Sequence, residues 1–524
     1  MKRFLSCALA IILILSLCSC GKNNDVNIYF PIENDVHSLD PQIVSDDAGI
    51  MIALNVYECL VRIDSDGNIV PGAAESWEIS ADGLVYTFTI SDNAKWYITD
   101  TARSALGEKL PQDISNIVTA SDFVYGLQRA VSPEINAPER EILNGIKYAR
   151  EILDGEIGVS ALGVKAISDK KLQITLNSAD ENFLRVLARP ICAPCNEAFY
   201  NATEGRYGVE MKYICSNGAY FVTRKNAGSY IRISKSDEYI GMATALYDAV
   251  WFYINTDIEK IPDKISSGIY EAGYVDYDYA SEFGRKYTST VTDCGVNCFI
   301  FNAQDKYMAN LTLRKAFCSC LSDERLTEIY GTTTNSFISP SVSNLICSIS
   351  FPDTNTYNKE NAHSLLFDAL KALNLDSIQL TCLCLSSDEK NLSTVIQDVL
   401  EALGTTCGIS IETVSKSALY SRLSSGDYEI AFVPFEPDTA DEYEIFTEIG
   451  SFANIAYTGF TQTVEKMKSA DANALTTLCE KAADYLINKN YVYPVTAEKK
   501  VLVKSKSATE IYNCSDIAMT YFSK

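Results

Sequence analysis

The sequence predicts an α/β protein, and three observations carry that prediction. Strand-like and helix-like segments alternate between residues 360 and 433. Short stretches with a two-residue apolar/polar alternation recur over 20–90 and again over 160–300. No period of 20 to 50 residues repeats, which disfavours solenoids and propellers. The 524 residues, 47% hydrophobic and 21% charged, have the composition of a globular protein, and the length suggests about three units of ~150 residues each.

The first element is not part of the fold. Lys2 and Arg3 precede an apolar run from Phe4 to Leu17, the pattern of a signal peptide, and the run is shorter than the ~20 residues of a stable bilayer span. Leu17-Cys18-Ser19-Cys20 resembles the bacterial lipobox, so residues 1–19 are expected to be removed and Cys20 to carry the lipid. Residues 20–24 then form anchor and spacer, and the body sits on the extracytoplasmic face of the cell membrane, held by lipid only. Loss of Lys2 and Arg3 takes the net charge from −24 to −26. So acidic a chain argues against nucleic acid as a partner, because phosphate binding depends on Lys and Arg.

Strands are expected at "LVYTFTI" (84–90), "KLQITL" (171–176) and "YIRIS" (230–234), with Asp66-Gly67 and Asp82-Gly83 supplying tight turns. In "VTASDFVYGLQRAV" (118–131) Thr119 can cap a helix, Asp122 complements its dipole, and Phe123, Leu127 and Ala130 share one face. Helices are also expected at 360–373, at 391–404, where Gly404 is a natural terminator, and at 475–487. Between and after the middle two come "IQLTCLCL" (378–385), "ISIETV" (409–414) and "YEIAFV" (428–433). This lobe should therefore hold a sheet that is at least partly parallel, with ligands expected beyond its strands' carboxyl ends.

Fourteen cysteines follow Cys20. They are scattered, several lie within apolar runs, and most read as small buried hydrophobes. Cys192-x-x-Cys195 has a metal-like spacing, but zinc needs a second pair or histidines, and His37 and His363 are the only histidines. No metal site and no cofactor is expected. Two histidines leave little material for a Ser-His-Asp or Cys-His arrangement, and G-x-S-x-G, H-E-x-x-H and Walker patterns are absent, so the chain does not read as an enzyme. "DSDGN" (64–68) is a turn rather than a calcium loop. The carboxylates of "EPDTADEYE" (436–444) could form a glycosidase-type pair or a solvated acidic loop. The 31 tyrosines suit a cleft that grips ligands of varied shape, or reflect compositional bias.

Several stretches in fixed order resemble the extracytoplasmic solute-binding proteins of oligopeptide ABC transporters, the OppA/DppA-like group known as bacterial solute-binding protein family 5. They are "SLDPQ" (38–42), "NVYECLVRIDSDGNIVPGAAESWEISADGLVYTFTI" (55–90), "KW" (95–96), "VTASDFVYGLQRAVSP" (118–133), "LGVKAISDKKLQITL" (162–176), "SNGAYFV" (216–222), "FIFN" (299–302), "LRKAF" (313–317) and the helix from Asn361. The resemblance implies a two-lobed periplasmic-binding-protein-like fold of type II, joined by a hinge. Lobe I would comprise 25–57, 196–293 and 490–524, the group's extra domain 58–195, and lobe II 294–489. It also implies a monomer that binds a peptide, with an ABC permease and ATPase subunits as partners.

Site residues follow from the same resemblance. The tract "FEPDTADEYEIF" (435–446) is similar to the family's W-x-A-D-Y-x-x-P, which puts Asp438 at the position that holds the peptide's ammonium and Phe435 where Trp is usual, with Pro434 and Glu436 beside them. Ser45, Asp46 and Asp47 match the other segment that contacts the peptide main chain. The departures are Thr439 and Glu442 in the tract, Leu423 and Phe432 where basic residues can occur, which leaves Arg422 as the nearby candidate for the peptide carboxylate, and Glu139 in place of a cleft tyrosine. The scaffold also serves metal chelates, haem and oligosaccharides, and these remain alternative cargoes. A surface hydrolase using 436–444 is the reading from another class, and a signalling receptor is a third.

Overall fold

In the computed structural model, which describes residues 26–524 apart from 45, 181, 255–256, 332, 335, 338–356, 436–441, 471 and 515–518, strand β1 (Asn27–Ile32) leads to helix α1 (Asp47–Val56). Asp46 caps α1 by accepting from the Gly49 N–H at 2.8 Å. Every helical residue after Asp47 is buried. A short hairpin follows, Val61–Ile63 with Ile69–Pro71. At its tip Gly67 takes φ +82° and the Asp64 carboxylate accepts from the N–H groups of Asp66 and Asn68. The acidic loop is thus engaged by its own backbone, as the turn reading requires.

A four-stranded antiparallel sheet comes next, in the spatial order Ala74–Ile79, Val85–Ile90, Lys171–Thr175, Val164–Ser168. Helix α2 (Ala120–Ala130) packs on it through Phe123 and Leu127 against Phe88, Leu172 and Ile174. Asp122 does more than complement the dipole: its carboxylate accepts from the Thr119 N–H at 2.7 Å and hydroxyl at 2.9 Å, half of a capping box. The "SLDPQ" segment is tied to this unit. Arg129 of α2 pairs with buried Asp40 at 2.7 Å and stacks over Tyr200 at 4.0 Å, while the Gln42 amide donates to the carbonyls of Ile191 and Ala193.

Strands β2 (Tyr220–Asn226), β3 (Tyr230–Lys235) and β4 (Ala249–Ile254) join β1 in a sheet of order β1-β4-β3-β2, with β1 parallel to β4. Ile28, Phe30, Ile231, Ile233, Val250 and Phe252 form one core with residues of α1. The alternating positions carry Tyr29, Tyr230, Trp251 and Tyr253, whose rings tile the opposite face with centroids 5.2–6.2 Å apart. Tyr57, Tyr220, Tyr493 and Tyr521 are among the largest fully buried side chains. Much of the tyrosine content therefore serves packing.

The later elements include β5 (Ala272–Asp276), β6 (Thr288–Phe301), α3 (Asp323–Tyr330), α4 (Lys359–Leu373), β7 (Ile378–Leu385), α5 (Glu389–Leu403), β8 (Cys407–Val414), α6 (Lys416–Ser425), β9 (Ile430–Phe435), α7 (Glu442–Phe452), α8 (Ala472–Asn488) and β10 (Val492–Lys504). They build one six-stranded sheet of order β5-β10-β6-β9-β7-β8. β7 runs parallel to β8 and to β9, as the alternation of strands and helices predicts. Both faces of this part are covered, and alternate residues divide between them. Phe299, Cys382, Cys384 and Phe432 pack with α4 and α5, while Ile300, Leu383, Ala431 and Val433 pack with α6, α7 and α8. The cysteines of "LTCLCL" are core residues. All twelve described free cysteines are buried, and the described residues include no group of three or more His, Cys, Asp or Glu placed to hold a metal ion.

β6 and β10 are 14 and 13 residues long, about twice the usual strand. Their length joins the lobes. Residues 288–292 of β6 pair with 500–504 of β10, which also pairs with β5, whereas 296–301 of β6 pair with β9 on one side and with 492–497 of β10 on the other. The register shifts at Asp293/Gly295, between these halves, and again at Asn297/Cys298, just inside the second. Such bulges bend a strand and interrupt its ladder, so the ribbon is weakest where it passes from one lobe to the other. No described helix is long and apolar enough to cross a membrane.

Candidate ligand-binding cleft

The register fixes what faces what. β9 runs antiparallel to β6, and β7 and β8 run with β9, so all three end toward the point where β6 and β10 cross to the first lobe. On the other side β5 ends at Asp276 opposite Lys500 of β10. β1 ends nearby, where Glu33 pairs with Lys500 at 2.8 Å. A shallow recess opens at this joint, lined by Glu33, Tyr274, Asp276, Tyr279 and Lys500.

On the second lobe, Asp388 follows β7 and occupies the N-cap of α5 without making a side-chain capping bond. Its carboxyl is pushed up to about 7, first by burial and then by the Asp276 carboxylate of the opposite lobe. Tyr330, at the end of α3, stacks on Phe432 at 5.8 Å, and its hydroxyl has no hydrogen-bond partner among the described residues. On the first lobe, the Asp35 carboxylate accepts from the Gly228 N–H at 2.7 Å in the β2–β3 turn. Lys225, at the end of β2, donates to the carbonyls of His37 and Val209. Burial lowers its ammonium's pKa, opposed by the charges of Asp35 and Asp46. The start of α1, with Asp46 and Asp47, thus lies near the carboxyl end of β1. The rule that ligands sit beyond the carboxyl ends of strands in open α/β sheets selects this same gap from both sides.

Pro434 and Phe435 close β9, and both are engaged by the lobe itself. The Pro434 carbonyl accepts from the Tyr420 hydroxyl at 2.6 Å. Phe435 is 1% exposed and touches the rings of Phe337 and Phe452, so its ring belongs to the core of this lobe. Arg422 sits elsewhere. Near the C-terminus of α6, just before the amino end of β9, it pairs with Glu412 at 2.7 Å and with Asp427 at 3.2 Å, and those carboxylates keep it on the surface, apart from Phe435 and the cleft. Leu423 and Phe432 are core residues, and Glu139 forms an ion pair with Arg189. Ser45, Glu436, Asp438 and Cys20 lie outside the described residues. His363 Nδ1 lies 2.9 Å from the Leu403 carbonyl and the His37 carbonyl accepts from Lys225, both structural roles.

Asp276, Asp388 and Tyr330 escape sequence reasoning. Asp388 alone had a signal, since it stands just past a strand in a parallel sheet. Among the described residues the gap brings together carboxylates, main chain and an aromatic hydroxyl, groups that can grip a polar guest.

The model of bacterial extracellular solute-binding proteins, family 5 middle part, matches residues 68–456. The chain belongs to this family. This family-5 protein is 24% identical over 509 residues to the dipeptide-binding protein DppE of Bacillus subtilis, covering 92% of this chain and 89% of the relative. It is 33% identical over 208 residues to a dipeptide-binding protein of Lactococcus lactis, but that match covers 40% of this chain and only 35% of the relative. In fold it is similar to Haemophilus influenzae OppA in complex with the peptide RPPGFSPFR, with a TM-score of 0.72 at 19% identity over 95% of this chain and 99% of that one. The two-lobed α/β architecture of the family-5 protein is the one its sequence motifs imply.

Proposed function

We propose that the chain is the lipid-anchored substrate-binding component of an ABC importer, capturing oligopeptides between its lobes and delivering them to a membrane permease whose ATPase partners supply the energy. It works as a monomer, without covalent chemistry. Lobe I is 25–57, 196–293 and 490–524, the extra domain 58–195 and lobe II 294–489. The observation that carries the reading is the bulged β6/β10 ribbon with strand ends of both lobes converging on one gap. A peptide bound there as an extended strand pairs its main chain with 45–47 and 434–438, which gives affinity with little demand on side chains. Its ammonium pairs with Asp438 by charge-assisted hydrogen bonds as the gap closes. Closure is driven by the difference in contacts between open and closed states. The names of the relatives, dipeptide- and oligopeptide-binding proteins, favour peptide over chelate, haem or sugar.

Mass spectrometry of small molecules released on denaturing the purified body tests the cargo, with peptides the expected result. Adding the peptides found should compact the protein in small-angle scattering. A chelate or sugar would retain the scaffold and replace the cargo. No change in scattering or melting across peptides, sugars and chelates would refute the reading. Cys20→Ala should release the protein from the membrane, and persistent association would refute the anchor.

A further inference from the structure

At the end of the first-lobe sheet opposite the cleft, apolar side chains stand in water where the described chain begins. β1 and β4 start side by side, Asn27 beside Ala249. The Val26 N–H donates to the Asp248 carboxylate at 2.7 Å and the Asp248 N–H to the Val26 carbonyl at 2.9 Å. The β3–β4 connection, residues 236–248, turns at this same end, because β3 is antiparallel to β4 and the Lys235 N–H donates to the Asp248 carbonyl. On it Ile240 is 50% and Met242 51% exposed, and Val26, bonded to Asp248 where the same connection ends, is 43% exposed.

Single exposed apolar residues are ordinary. This loop differs in how it is held. Tyr239 turns inward, its hydroxyl donating to buried Glu58 at 2.5 Å and accepting from the Ala243 N–H at 2.8 Å. Ile240, Gly241 and Met242 are thereby closed into a projection, and the residue after Ala243 is pinned by the Lys524 N–H donating to the Thr244 carbonyl at 2.9 Å. The connection 236–248 itself carries Asp237, Glu238 and Asp248 and no Lys or Arg, and Lys524 is already paired to Glu510. The patch has no cationic excess, so what it offers is apolar contact.

We infer that the Ile240–Met242 loop seats on the phospholipid surface to which the chain is tethered, its two side chains entering the boundary between headgroups and acyl chains. The inference rests on acylated Cys20 as proposed above. Five residues separate Cys20 from Val26, a reach of at most roughly 20 Å, so this end of the sheet stays near the bilayer. A weak contact suffices, because the tether makes it intramolecular. In this seat the cleft end of the sheet points away from the membrane, so the weak contact has to be released before cargo passes to the permease proposed above.

The test uses full-length acylated protein in phosphatidylcholine vesicles whose acyl chains carry bromine near the headgroups. Met242→Trp is the reporter, Ile157→Trp the exposed control in segment 58–195, and emission of the three native tryptophans is subtracted. Emission of the Met242→Trp variant should fall roughly twofold while that of Ile157→Trp is unchanged. Vesicle-bound protein with neither variant quenched overturns the seat and leaves the anchor standing. Quenching only after a permease is co-reconstituted overturns it in favour of protein docking, and protein that stays in solution overturns the anchor and the seat together.

Discussion

Replacing Glu58 by Gln tests the electrostatics of the first lobe directly. Glu58 is 4% exposed, accepts from the Tyr239 hydroxyl at Oε1, and has no partner at Oε2 among the described residues. Burial raises its carboxyl to about 7 from an ordinary 4.5, with the Tyr239 hydrogen bond and the Arg62 charge only partly opposing. The folded protein therefore holds this proton more tightly than the unfolded chain. Its contribution is fully present below pH 4.5, declines as the pH rises toward 7, and is constant above that. A difference of this size corresponds to about 3 kcal/mol. Gln keeps the acceptor for Tyr239 and does not titrate. The unfolding free energy of Glu58→Gln relative to the native chain should thus rise by about 3 kcal/mol between pH 4 and pH 8, whatever the baseline effect of the substitution. Urea denaturation at four or five pH values measures it. A difference independent of pH, or a variant that loses ground at pH 8, would mean that Glu58 is charged throughout and held by Arg62, refuting the reasoning.

Asp388→Asn removes one of two carboxylates facing each other across the cleft, so the ligand-free protein should be more compact than the native chain at pH 8 and indistinguishable from it at pH 5 in small-angle scattering. Equal profiles at both values would show that the two charges do not oppose closure. Asp438→Asn should weaken peptide binding by about 2–5 kcal/mol, the scale for truncating one member of a desolvated charge pair, with calorimetry as the check and unchanged affinity removing Asp438 from the site. Phe435→Ala should cost about 3–5 kcal/mol of stability, measured by denaturation, because its ring fills the core between Phe337 and Phe452. A variant of native stability that binds no peptide would instead place the ring in the cleft.

What the sequence determined by itself is local. Period-two alternation at Val85–Ile90 and Lys171–Thr175, the Thr119/Asp122 cap of α2 and the terminator Gly404 at φ +84° are set within a few residues, where propensity, capping and turn chemistry act. The strand–helix alternation over 360–433 sufficed for a parallel sheet, and the ordered motifs for the family. Only the tertiary structure decided which side chains meet. Phe435 opens the matched tract and Arg422 precedes it by thirteen residues, yet burial takes the first into the core and Glu412 and Asp427 hold the second near the amino end of β9. Asp276 and Asp388 lie more than a hundred residues apart, and Glu58 finds Tyr239 across the lobe. Such encounters depend on how β6 and β10 fold the chain back on itself, and long-range proximity, unlike local conformation, has no period that a single sequence displays.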